Sequence, residues 1–273
     1  MPSAGRCVSA VENGGPFSDL VIDHCITKSV RDSAAFLSVT EGSTKYSSLG
    51  YISGSSSEKL RIAIYSNTLF GNQPDKAVLE GIEHIRKLCE ELSHEVVDSR
   101  GPAVDGKAIS LAFFTLAGFT MDQVCKMMEP MIQQPVNKTF LEPFTHQLVE
   151  WLRTLDSQAV PNAKETIQSS AHLMLQYAQE FDVLLCPTLA NPPRELAYLS
   201  PKLDRETVIH RTENYTAYTP IHNISDMCAM SVLLDKSSQG LPLGSHFAAM
   251  PGSEVKLFNL AFQLEEEAHW MRV

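Results

Sequence analysis

Apolar and polar residues follow one another in blocks that predict strands alternating with helices. Residues 181–189 (Phe-Asp-Val-Leu-Leu-Cys-Pro-Thr-Leu) form the block around which the other elements are arranged. An apolar run of this length that ends at a proline is typical of a strand buried on both faces of a parallel or mixed sheet. Thr188 lies where this strand ends, and α/β folds usually build their sites at that edge. Thr188 is therefore a candidate binding residue, although an ordinary exit from strand to loop is the simpler interpretation.

A strand, a helix and a second strand precede that block. Residues 60–65 are rich in β-branched residues, and residues 95–98 form a short second strand. Between them, apolar residues recur every three or four positions, which predicts an amphipathic helix from Pro74 to about Leu92. Such a unit is expected to be parallel and right-handed. It sets the fold class as α/β.

The same patterns predict the remaining helices. Ser29 can cap a helix in which Asp32 favours the positive end, and the Ser- and Gly-rich residues 41–58 predict a surface loop. From residue 105 to residue 178 the pattern is helical, and the last helix is expected to run from residue 163 to about residue 181. We expect each proline in this region to start or stop a helix; these are Pro130, Pro135, Pro143 and Pro161.

A hairpin and a helix close the chain. Residues 227–234 predict another buried strand, and residues 243–249 its hairpin partner. Residues 253–269 carry apolar positions at helical spacing and predict the closing helix. Residues 201–214 are interpreted as a polar excursion, and residues 20–22 as a short apolar segment. No internal repeat or linker divides the chain, so one domain over residues 1–273 is expected.

Composition and charge exclude several classes of function. The 273 residues are 44% apolar and carry a net charge of −10, with no cluster of Lys and Arg. We therefore expect no nucleic acid partner, whereas small neutral or cationic partners fit. The start does not resemble a signal peptide, and no run approaches the roughly 18 apolar residues of a membrane helix, so a cytoplasmic protein without a membrane partner is expected. The six cysteines form no CxxC pair, and we expect reduced thiols, no metal and no other cofactor.

A search for catalytic motifs is mostly negative. Residues 56–59 (Ser-Ser-Glu-Lys) match the spacing SxxK, but they lie in a Ser-rich loop, so chance is the better interpretation. The sequence contains no GxSxG, GxGxxG, P-loop or HExxH pattern. The nine histidines are interpreted as surface or core residues rather than ligands. The chemistry of the residues alone therefore names no activity.

Three blocks of the sequence resemble the carboxyl half of the amidase signature family. They are residues 23–32 (Asp-His-Cys-Ile-Thr-Lys-Ser-Val-Arg-Asp), residues 181–193 and residues 218–270. The third block resembles the closing strands and helix of the family in order and spacing, most clearly in Ala-Met-Ser-Val at 229–232 and Gly-Leu-Pro-Leu-Gly-Ser-His-Phe at 240–247. Residues 141–145 and the paired prolines at 192–193 are similar to the branch that includes the aminohexanoate cyclic-dimer hydrolases.

This resemblance implies part of an α/β/α sandwich on a mixed sheet and the hydrolysis of amide bonds by a serine, a second serine in a cis peptide, and a lysine. Those three groups belong to the amino half of the family, and residues 2–6 here resemble a segment just after the nucleophile. The resemblance thus implies that this chain has no catalytic residue of its own. Thr188, Thr219 and Asn223 stand at positions near the pocket wall and are the candidate substrate-binding residues, with local hydrogen bonding in turns as the alternative.

Two departures from the family pattern concern the segment beside that pocket. Where the family usually has Gly-x-Pro, the sequence has Asp226-Met227-Cys228, and where it has Ser-Val-Pro the sequence has Ser231-Val232-Leu233. Glycine and proline fix unusual backbone conformations, so their loss bears on the shape of the pocket.

Three hypotheses about function follow. The chain is the carboxyl part of an amide hydrolase and is inactive alone, or it is a degenerate amidase fold that binds a small amide ligand without turnover. In the third, it assembles with a complementary amino-terminal fragment or with itself, because loss of the amino half would expose surface that the family buries.

Overall fold

The computed structural model describes residues 2–3, 6, 24–42 and 45–267. Five strands form one mixed sheet in the order β2-β1-β3-β5-β4. The first two pairings in that order, β2 with β1 and β1 with β3, are parallel, and the other two are antiparallel. The strands are β1 (Arg61–Ile64), β2 (Glu95–Asp98), β3 (Val183–Pro187), β4 (Cys228–Lys236) and β5 (Pro242–Ala249).

Strand β3 is the central strand, as its apolar run predicts. All five of its residues are buried, because successive side chains point to opposite faces and both faces are covered. Leu184 and Cys186 join the core on one face, whereas Val183 and Leu185 join the core on the other.

Helices cover both faces of the sheet and give the α/β/α arrangement. One core contains residues of α3, α5 and α7, and the opposite core contains residues of α2 and α8. A smaller cluster packs α1 against α8. The helices are α1 (Val30–Thr40), α2 (Lys76–Glu91), α3 (Gly106–Ile132), α4 (Pro143–Arg153), α5 (Ala159–Ala178), α6 (Arg205–Tyr215), α7 (Pro220–Ile224) and α8 (Glu254–Glu267).

The predicted helix starts are right for α1 and two residues early for α2. The Ser29 hydroxyl accepts a hydrogen bond from the Asp32 N–H at 3.1 Å, so α1 begins at Val30. The carboxylate of Asp75 accepts from the Ala77 N–H at 2.9 Å, which makes Asp75 the cap and places Pro74 just outside α2. An aspartate cap therefore outweighs the preference of proline for the first helical position.

The prediction for Pro130 is wrong, because this proline lies inside α3, which continues to Ile132. A proline lacks the N–H that would bond the carbonyl four residues earlier, here that of Lys126. Both residues are exposed, so water can satisfy that carbonyl and the helix tolerates the proline near its end. Pro143 begins α4, Pro135 follows the end of α3, and Pro161 lies in the first turn of α5, as expected.

Helices α6 and α7 and the burial of strand β4 differ from the sequence interpretation. The polar stretch 201–214 contains most of α6, which buries only Val208 and Glu213 and so shows little apolar periodicity. Helix α7 is a further short helix that the pattern does not reveal. Strand β4 is not fully buried as predicted, because it lies at the edge of the sheet formed by the described strands, with Ser231 exposed. Residues 20–22 and 268–273 lie outside the described residues.

Helix α3 is long and apolar enough to cross a membrane by length and composition, contrary to the expectation that no run approaches this limit. Half of its most apolar window is buried within the protein, and α3 packs against α4 and α5. These contacts make α3 a helix of the protein core.

Candidate functional site

Thr188 lies at the carboxyl end of β3 in a corner built from small residues. Its hydroxyl is 2.7 Å from the Ser231 hydroxyl on β4, and its N–H donates to the Gly244 carbonyl at 2.9 Å. A Cβ atom added to Gly244 would lie 2.7 Å from the Thr188 hydroxyl, so only glycine allows this approach. The corner therefore presents two hydroxyl groups side by side, which can bind one polar group of a ligand.

Thr219 and Asn223 lie at α7. Thr219 precedes the first residue of α7, and its carbonyl accepts from the His222 N–H at 3.1 Å. The Asn223 side-chain oxygen is buried without a hydrogen-bond partner among the described residues. The structure thus brings Thr219 and Asn223 together on one short helix, and within the part of the chain it describes no hydrogen bond joins either to Thr188.

His222 of α7 lies against His246 of β5. The rings of His222 and His246 are 4.7 Å apart between centroids, and His222 Nε2 lies 3.1 Å from the Tyr65 hydroxyl. Burial lowers the pKa of His222 to about 3, and burial together with the neighbouring His222 lowers the pKa of His246 well below its usual value. Burial also raises the pKa of the nearby Cys186 thiol to about 12. This cluster is neutral at pH 7 and belongs to the core, as the sequence interpretation of the histidines allows.

A cavity of about 450 Å³ follows the edge strand β4, between α1 and α8. Its apolar wall includes Met230, Leu257 and Phe258. Its polar lining includes His24 and Ser33, whose Nε2 and Oγ atoms are 2.9 Å apart. A cavity of this size is within the range of small-molecule sites, and sequence reasoning missed it because its lining comes from four separate segments.

A buried ion pair lies at one side of the cavity. The Arg6 guanidinium is 2.8 Å from the Glu254 carboxylate, which also accepts from the Ser3 N–H at 2.7 Å. Burial alone would raise the pKa of Glu254, but the hydrogen bonds from Ser3 and Arg6 outweigh it and lower that pKa. These contacts fix the start of the described chain against α8.

The segment before β4 contains a residue in a backbone conformation that favours glycine. Asp226 has φ +57°, in the left-handed region that favours glycine, and its carboxylate is 3.4 Å from Lys45 Nζ. Asp is among the residues that tolerate this region best.

The SxxK match does not form a catalytic pair. Lys59 donates to the Leu92 carbonyl at 2.8 Å, and the Ser56 hydroxyl accepts from the Glu58 N–H at 3.3 Å. No group of three or more potential metal ligands occurs among the residues that the structure describes. Five cysteines in this part of the chain are free thiols: Cys25, Cys89, Cys125, Cys186 and Cys228.

The three-layer arrangement on a mixed sheet defines an α/β protein with helices on both faces. A family model described as "Amidase" matches residues 2–258, and the chain belongs to this family. It is 27% identical over 275 residues to a putative amidase AmiC of Mycobacterium leprae, covering all of this chain and 58% of that protein. It is 22% identical to the 6-aminohexanoate-cyclic-dimer hydrolase of Pseudomonas sp., covering 89% of this chain and 53% of the relative.

A solved structure of 6-aminohexanoate cyclic dimer hydrolase has the same fold. It superposes with a TM-score of 0.80 at 20% identity, over 98% of this chain and 60% of that chain. The chain thus spans little more than half the length of these two curated relatives.

Proposed function

We propose that this chain is the carboxyl-terminal part of an amide-hydrolysing fold and that it is inactive alone. The observation that supports the proposal is the family match over residues 2–258, in a chain that spans only 58% of the AmiC relative. The missing part would supply the nucleophilic serine, the second serine and the lysine that the resemblance implies. Thr188, Thr219 and Asn223 would bind the amide substrate, and none of the three is a nucleophile in this proposal.

The proposed partner is a complementary amino-terminal fragment, and self-association is the alternative. In this proposal the missing part packs against the chain, so the chain alone would expose the apolar surface of that contact. Helix α1 carries exposed apolar side chains that fit this expectation, Phe36 at 41% and Val39 at 79% exposure. We further propose that the assembled protein works in the cytoplasm, without metal or other cofactor.

The test compares the purified chain with the same chain produced together with the amino-terminal two fifths of the AmiC relative. We expect no hydrolysis of simple amides or of the 6-aminohexanoate cyclic dimer by either part, a co-purifying complex, and hydrolysis by that complex. A fluorophosphonate probe should label a serine of the added part only. Hydrolysis and labelling by the isolated chain would overturn the proposal, and mass spectrometry of the labelled peptide would then locate the true nucleophile.

A degenerate binding module is the second candidate function. The replacement of the usual glycine by Asp226 and of the usual prolines by Cys228 and Leu233 favours it, since substitutions beside a pocket are tolerated once turnover is lost. A complex that forms with the amino-terminal part but hydrolyses nothing would favour this candidate.

A further inference from the structure

We propose that two copies of this chain associate through helix α3, which pairs antiparallel with α3 of the second copy. The contact is formed by six residues of this helix, called here the α3 seam: Phe113, Ala117, Thr120, Val124, Met127 and Met131. The inference is independent of the proposed hydrolysis. Helix α3 lies on one face of the sheet, whereas α1, where the missing part is proposed to pack, contacts α8 on the other face.

The α3 seam has the residue spacing of a coiled coil. Its six positions are separated alternately by four and three residues, so they lie along one side of the helix. The seam is most open in the last turns of α3, where Met127 is 67% and Met131 79% exposed. Phe113, Ala117 and Thr120 are half-buried. An apolar row of this length at the surface is typical of a helix that packs against another helix.

Antiparallel pairing of the seam with itself matches its large side chains to its small ones. This pairing places Met127 opposite Ala117 of the second copy, and Met131 opposite Phe113 of the second copy. Methionine is flexible, so it fills the space beside a small residue, and its sulfur makes favourable contacts with an aromatic ring. A parallel pairing would set Met127 against Met127 and Ala117 against Ala117, which gives one crowded layer and one empty layer. The sequence of the seam therefore favours the antiparallel pair.

The absence of charge along the seam suits a contact between identical chains. Each copy has a net charge of −10, so two copies repel one another least where the contact itself carries no charge. A membrane surface suits the seam less well, because helices that lie on membranes carry several Lys and Arg residues beside their apolar face. The basic residues of α3 are Lys107 and Lys126, and both form ion pairs within the protein. The charges thus favour a second copy of the chain.

Sedimentation of the purified chain over a range of concentrations tests the proposal. We expect a monomer–dimer equilibrium with a Kd of about 10 to 100 µM, because two helices of this length form an interface at the small end of the known range. Met127→Lys should raise this Kd at least about 10-fold, since it puts an unpaired charge into the contact. The matched control is Leu111→Lys, at a residue that is 59% exposed on the opposite side of α3, and it should leave the Kd unchanged.

Two results of this experiment would overturn the proposal. One is a chain that stays monomeric at concentrations up to about 1 mM. The other is a dimer that forms equally well in Met127→Lys and in the parent, because association would then use another surface. Circular dichroism of both lysine variants shows whether they are folded, which their exposed positions lead us to expect.

Disulfide formation tests the antiparallel direction. The background is Cys7→Ser with Cys25→Ser, in which the other four cysteines are buried. With oxidised glutathione, the double variant Ala117→Cys/Met127→Cys should form covalent dimers. The two positions are about 15 Å apart on one helix, too far for a bond within the chain. Each single variant should stay monomeric under denaturing conditions, because its two thiols would be equally far apart across the pair. Covalent dimers of the single variants alone would mean parallel pairing and would overturn the proposed contact.

Two other occupants of the seam can be recognised with the same lysine variant. Binding of a monomeric parent to phosphatidylcholine vesicles, lost in Met127→Lys, would assign the seam to a membrane and overturn the second copy. A complex with the amino-terminal part that excludes the dimer and is lost in Met127→Lys would assign the seam to that part, with the same consequence. We expect instead that Met127→Lys binds the amino-terminal part as the parent does, so the two proposals stand or fall separately.

Discussion

The buried pair His222 and His246 should make the folded protein lose stability between pH 7 and pH 5. Both side chains are buried in the core, and His222 Nδ1 and His246 Nε2 have no hydrogen-bond partner among the described residues. The groups that face the pair are the Tyr65 hydroxyl and the Cys186 thiol, whose pKa values burial raises, so neither supplies a negative charge in this range. A proton on either imidazole would therefore be a buried charge without a counter-ion.

The loss of stability arises because the unfolded chain binds protons that the folded protein does not bind. Histidines of the unfolded chain bind protons below pH 6.5, whereas these two remain neutral in the folded state because their folded pKa is lowered. The unfolded state thus binds more protons, and the free energy of unfolding falls as the pH falls below 6.5 towards the folded pKa of about 3 for His222. Between pH 7 and pH 5 each histidine should cost about 2 kcal/mol, and the pair about 4 kcal/mol.

Urea unfolding followed by circular dichroism at pH 7, 6 and 5 measures this slope. Burial also lowers the pKa of His24 and His94, which add to the slope of the parent protein. The decisive comparison is therefore His246→Phe, which keeps an aromatic ring against His222 and should remove about 2 kcal/mol of the loss. His172→Gln, at an exposed position, is the control and should leave the slope unchanged. A His246→Phe protein with the slope of the parent would refute the reasoning.

Three further predictions concern stability and can be checked by the same urea titrations. Glu254→Gln should cost about 1 to 3 kcal/mol because it removes the closer of the two carboxylates beside the buried Arg6 guanidinium and leaves only Glu41 at 3.7 Å, and a loss below about 0.5 kcal/mol would contradict this. Asp226→Val should cost about 1 to 2 kcal/mol, since a β-branched residue is strained at φ +57°, whereas Asp226→Gly should be at least as stable as the parent. Gly244→Ala should cost about 1 to 3 kcal/mol because its Cβ would collide with the Thr188 hydroxyl, and full stability of this variant would mean that the corner can open.

The elements that could be predicted are those whose burial follows a regular pattern along the sequence. The apolar run from Val183 to Cys186 predicts a central strand, because both of its faces are covered. The apolar residues of α2 recur at helical spacing, because one face of this helix is buried and the other is exposed to solvent. Helix α6 was missed because it buries only two residues, although Asp204 accepts from the Thr207 N–H at 2.8 Å and gives a capping signal. The exposed position of Ser231 depends on which strand is the edge, and a single strand pattern does not contain that information.

The candidate sites are harder to predict from the sequence than the helices and strands, because they depend on contacts between distant segments. Thr188 could be proposed from its place after a buried strand, and its partner Ser231 could not, because their contact depends on the pairing of β3, β5 and β4. The cavity is harder still to predict. His24 and Ser33 are close in sequence, but Met230 and Phe258 meet them only through the packing of α8 and β4. Nothing in the spacing of apolar residues shows where packing leaves a space.

The connections between strands have a consequence for the order of folding. Strands β1 and β2 are joined by α2 alone, and β4 and β5 form a hairpin, so both units are built from contacts that are near in sequence. Strand β3 joins them, yet its parallel partner β1 is separated from it by α2, β2, α3, α4 and α5. Closing so long a loop is slow, because its entropy must be lost before the pairing compensates for it. We therefore expect the apolar strand β3 to be enclosed late, and a chain that stalls at this stage would leave an apolar strand exposed to aggregation.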